Sequence, residues 1–60
     1  MFIKLTMTNQ VPLYVNANNI SHFLRHTGSS VTWLSFANEN DDECVTETPE
    51  QIMELVNGHK

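Results

Sequence analysis

The chain has 60 residues, seven carboxylates against three basic side chains for a net charge of −4, and one cysteine, Cys44. Sixty residues allow a single domain over residues 1–60, one that buries only about 60% of its unfolded surface, and the lone thiol excludes an internal disulfide and fits a reducing compartment. Lys4, Arg25 and Lys60 are too scattered to neutralise phosphates, and no apolar run exceeds three residues, so the sequence predicts a cytoplasmic protein with no secretory leader, no membrane insertion and little affinity for nucleic acid.

Residues 2–7 alternate, with Ile3, Leu5 and Met7 on one side and Phe2, Lys4 and Thr6 on the other, the pattern of a half-buried strand. Thr8-Asn9-Gln10 reads as a turn with Asn9 suited to positive φ. Val11, Leu13 and Val15 alternate again, which predicts a β-hairpin. Pro12 has no N–H to give, so its nitrogen should face an edge or a bulge. Asn16-Ala17-Asn18-Asn19 ends this strand in a tight turn.

Residues 20–26 fit two readings. Ile20 and Leu24 suit a strand; Ile20, Phe23 and Leu24 suit one face of a helix. The shortness of the run and the Thr27-Gly28-Ser29-Ser30 loop after it favour a strand. Residues 31–36 are β-branched and aromatic, as a strand requires. Their apolar phase changes: Val31 and Trp33 have one parity, Leu34 and Phe36 the other. Either both faces are covered or a bulge lies near Trp33. Residues 37–43 form a polar, acidic loop, and Cys44 to Thr46 returns as a short strand with Val45 inward. Thr48-Pro49-Glu50-Gln51 then starts a helix with a hydroxyl at the N-cap, proline at the first position and glutamine at the third, a capping box. Ile52, Leu55 and Val56 form its apolar stripe, and Gly58 offers a stop. The predicted fold is α+β and mainly β: an antiparallel sheet of about five strands in two hairpins, with one C-terminal helix packed on one face.

Ile3-Lys4-Leu5-Thr6, Tyr14-Val15-Asn16-Ala17 leading to Ile20, and Val45-Thr46-Glu47-Thr48-Pro49-Glu50 leading to Ile52 together resemble the FlbD/SwrD small proteins over nearly the whole chain. The resemblance implies an association with bacterial flagella and swarming motility, and it brings no catalytic residues with it. The chain departs from that pattern at Asn9-Gln10, where the family usually has Asn-Gly, and in the longer acidic loop after the fourth strand.

No catalytic, cofactor-binding or metal-ligating set is assigned. His22 and His26 are four apart and Cys44 could approach them, but no Cys-x-x-Cys or His-Glu-x-x-His spacing accompanies them, and His59 lies in the tail. Asn38, Asn40 and Asp42 alternate as calcium ligands do, without the glycine and the final glutamate that such a loop needs. Glu43 beside Cys44 disfavours a thiolate nucleophile. Phe2, Tyr14, Trp33 and Phe36 are the candidate contact residues, because aromatics on a sheet surface supply binding hot spots. The expectation is a non-catalytic protein-interaction module, a homo-oligomer with an unknown protein partner. A small nucleic-acid-binding regulator using an aromatic sheet face is the alternative.

Overall fold

Strands β1 (Phe2–Thr6) and β2 (Pro12–Asn16) form the first antiparallel hairpin. The computed structural model describes residues 1–58. The Met7 N–H donates to the Val11 carbonyl and the Ala17 N–H to the Met1 carbonyl. Odd-numbered pairs such as Leu5–Leu13 are therefore the hydrogen-bonded ones, and Pro12, opposite Thr6, falls in a non-bonded pair with its nitrogen turned outward. The turn between the strands differs in one detail from expectation. Gln10, and not Asn9, has positive φ, at 75°. The Gln10 N–H donates to the Met7 carbonyl, while the Asn9 side chain accepts from the Val11 N–H at 3.1 Å. This is a three-residue loop whose last residue is left-handed, the position where glycine is favoured. The asparagine is used for its side-chain oxygen.

Asn16 caps a 3-10 turn, Ala17–Asn19, by accepting from the Asn18 N–H, and this turn swings the chain into β3 (Ile20–Leu24). The strand reading of this segment holds, and its ambiguous periodicity has a cause. The register to β4 (Thr32–Phe36) shifts between Ile20 and His22, so Ser21 is an extra residue, its hydroxyl donating to the Ser35 carbonyl. The bulge lets Ile20 and Phe23, three apart, both face the core. It lies in β3 at Ser21; none occurs at Trp33. The loop into β4 is a tight turn closed by the Ser29 N–H on the His26 carbonyl, with Gly28 at φ 84° supplying the left-handed position.

β5 (Glu43–Val45) pairs with β4, and α1 (Pro49–Asn57) follows. The five antiparallel strands and the C-terminal helix are those the sequence predicts. They divide into a two-stranded sheet, β1-β2, and a three-stranded sheet, β3-β4-β5. The two are stitched together where Met7 bridges Val45 and the Thr46 N–H donates to the Thr6 carbonyl. The seam stops there because the chain leaves the sheet at Thr48 to begin α1.

That departure is tightly specified. The Gln51 N–H donates to Thr48 Oγ1 at 3.1 Å and the Thr48 N–H to Gln51 Oε1 at 2.8 Å, the reciprocal capping box. Ile52 is fully buried and joins Ile3, Leu5, Val15, Leu34 and Val45 in one core. Val56 packs at its margin. Leu55 does not: it is 41% exposed, because it lies about 100° round the helix from Val56 at 3.6 residues per turn, on the side toward Lys4 and Glu54.

Candidate functional site

The four aromatic candidates occupy different environments. Phe2 and Tyr14 are the most exposed large apolar side chains among the described residues, at 66% and 63%, both on the outer side of the first hairpin. Phe36 is half-buried and rests against the core. Trp33, 40% exposed, stands on the outer face of the other sheet opposite Leu24, which is 42% exposed, with half-buried Cys44 on its other flank. Val31 and Trp33 share that outer parity, while Thr32, Leu34 and Phe36 point inward.

Three of the four meet at one place. A groove of about 290 Å³ beside β2 is lined by the aromatic side chains Phe2, Tyr14 and Phe36, by Leu13, and by the carboxylates of Glu39 and Glu43. Among the described residues no strand pairs with β2 on that side. Because Tyr14 occupies a non-bonded pair with Lys4, its N–H and C=O both point out of this edge, as does the Pro12 carbonyl. The groove thus offers aromatic faces, apolar surface, carboxylates and unpaired backbone.

Sequence reasoning did not identify Glu39 and Glu43 as lining a groove, since they are placed by the β4–β5 connection, in which the Glu39 N–H returns to the Phe36 carbonyl and Ser35 Oγ donates to Asp42 Oδ1. Nor did it identify Leu24, whose parity is reset by the bulge at Ser21. A wider depression of about 520 Å³ lies on α1 along Pro49, Met53 and Asn57, but a single element bounds it and it gathers none of the aromatics.

The polar residues considered for chemistry are dispersed. His22 and His26 are exposed, Ser21 Oγ lies 3.3 Å from His22 Nδ1, and Cys44 is half-buried. His59 lies outside the described residues. Among the described residues no three histidine, cysteine or acidic side chains gather as metal ligands do. No helix among them is long and apolar enough to cross a membrane.

Arg25 has an internal task that its place in the sequence did not reveal. Its Nη2 donates to the Thr46 carbonyl at 2.9 Å, and its Nε to Thr32 Oγ1 at 3.2 Å. Thr32, fully buried, donates onward to the Glu47 carbonyl at 2.6 Å, and Glu47 Oε1 accepts from the Thr6 N–H at 2.8 Å. One of the three basic residues is therefore committed to holding the strand-to-helix junction. Compared with family models, with curated proteins and with solved structures, the chain matches none.

Proposed function

We propose that this protein is a non-catalytic interaction module that holds a partner protein along the open edge of β2. The observation that carries the reading is the convergence of Phe2, Tyr14 and Phe36 on a groove beside unpaired backbone. Aromatic anchors in a concave site supply most of the energy of protein recognition, and a free strand edge adds main-chain hydrogen bonds to it. The resemblance to the FlbD/SwrD proteins gives the setting: a cytoplasmic accessory factor in bacterial flagellar or swarming motility. Nucleic acid is the weaker reading, since Arg25 is turned onto backbone carbonyls and cannot serve a phosphate as well.

The test is co-purification from the native cell of proteins bound to the wild type and to a Phe2→Ser, Tyr14→Ser double variant. Both side chains are mostly exposed, so the variant should melt within a few degrees of the wild type. The proteins captured by the wild type should be lost from the variant; capture of the same set by both would dismiss the groove as the binding surface.

The Leu24–Trp33–Cys44 row favours self-association as a second property. Two large apolar side chains side by side on an outer sheet face form a contiguous patch of the kind that marks interfaces, and a two-fold contact would cover both copies at once. Light scattering after gel filtration is expected to give a dimer mass at micromolar concentration for the wild type and a monomer mass for Trp33→Ser. A monomer mass for both would remove self-association from the reading.

A further inference from the structure

We infer that the β2 groove takes an extended, cationic segment of its partner, one that pairs with β2 through its backbone and places arginine or lysine against Glu39 and Glu43; this rests on the reading of the groove as the binding surface. The backbone supplies the first reason. Tyr14 presents both its N–H and its C=O to the open edge, and the Pro12 carbonyl stands two residues away on the same side. Donors and acceptors at that spacing are matched by another extended chain.

Charge supplies the second. Glu39 and Glu43 line the same groove as the aromatics, and Asp41 and Asp42 lie between them in sequence. The chain's only arginine is engaged with Thr32 and with the carbonyls of Thr46 and Glu47, and no basic side chain among the described residues lines the groove. A cationic side chain on the ligand would meet these carboxylates, and a guanidinium could also lie on the exposed ring of Tyr14. Alternate residues of the same strand would point to Leu13 and Phe36 and should be apolar.

The same features disfavour a second copy of this chain as the occupant. Two β2 strands paired antiparallel about Tyr14 would set each Pro12, which has no N–H, opposite the Asn16 carbonyl of the other copy. They would also bring the two sets of carboxylates together. Edge prolines and like charges are devices that prevent such pairing.

The test uses the full chain, isotope-labelled, with three synthetic peptides of about seven residues: one alternating valine with arginine, one alternating valine with glutamate, and the arginine peptide N-methylated on alternate amides. The arginine peptide is expected to shift the amide resonances of Tyr14 and Asn16. Its affinity should fall about tenfold in a Glu39→Gln, Glu43→Gln variant whose circular-dichroism melt is unchanged, and should fall again on raising salt to about 0.5 M. The N-methylated and glutamate peptides should bind more weakly than the arginine peptide by at least the same factor. Equal binding of the arginine and glutamate peptides, with the same shifts at Tyr14, would overturn the charge assignment while the co-purification result still stood for the groove. Equal binding of the methylated peptide would overturn backbone pairing. Shifts confined to the Trp33 face, or a doubled mass lost on Tyr14→Ser, would overturn the whole assignment in favour of another surface or a second copy.

Discussion

Ile52→Ala is expected to cost about 2–5 kcal/mol, the range for truncating a fully buried aliphatic side chain. A domain of this length has on the order of 3–9 kcal/mol in total, so the variant should be mostly unfolded or close to it. The size follows from where Ile52 sits: it is the one buried residue of α1 and touches a core built from β1, β2, β4 and β5. A nine-residue helix has no stability of its own in water; it persists because this side chain anchors it. The control is Leu55→Ala. Leu55 belongs to the same apparent stripe in the sequence, yet it is 41% exposed and should cost about 1 kcal/mol or less. Urea unfolding followed by circular dichroism and by Trp33 fluorescence measures both. Similar losses for the two variants would mean that the helix docks through a wider face than the one described. A variant in which the helical signal disappears while the Trp33 signal holds would mean that α1 is an appendage and not part of a single cooperative core.

The contrast between Ile52 and Leu55 marks how far the sequence can be read. Local rules carried over well where one short segment contains all the partners. Thr48, Pro49 and Gln51 announce the helix start, and both capping hydrogen bonds are present. Gly28 sits in the turn that its neighbours suggest. The alternation of Ile3 and Leu5 correctly names core residues of β1. What was not legible depends on partners far away in sequence. The bulge at Ser21 is a property of the β3–β4 register and mimics a helical period in residues 20–24. Within the candidate site, exposure of Phe2 and Tyr14 follows from strand parity, but their meeting with Phe36, Glu39 and Glu43 requires the return of β4 into β5. The phase change in β4 has the same origin. It arises because one inward position is filled by a polar residue, Thr32, which is acceptable in the core only when its hydroxyl is satisfied.

Thr32→Val should therefore destabilise the domain by about 1–3 kcal/mol although it preserves shape and adds a better strand former. The hydroxyl it removes has two partners. It donates to the Glu47 carbonyl at 2.6 Å and accepts from Arg25 Nε at 3.2 Å. Without it the Glu47 carbonyl keeps only the longer contact from Arg25 Nη2, at 3.4 Å, and the Arg25 Nε–H faces a methyl group. Leaving buried polar groups unpaired costs more than the apolar surface of one methyl recovers. Thr32→Ser is the informative comparison, since it keeps both hydrogen bonds and loses only a methyl group, a change worth about 0.5–1.5 kcal/mol. If packing alone fixed Thr32 in place, serine would be the worse substitution; if the hydroxyl ties β3 and β4 to the start of α1, valine will be. A double-mutant cycle with Arg25→Met separates the two further, with an expected coupling of about 0.5–3 kcal/mol between residues that share a hydrogen bond. Coupling near zero, together with a Thr32→Val melt indistinguishable from the wild type, would show that the junction at Thr46 and Glu47 is held by the capping box and the Thr6 seam alone.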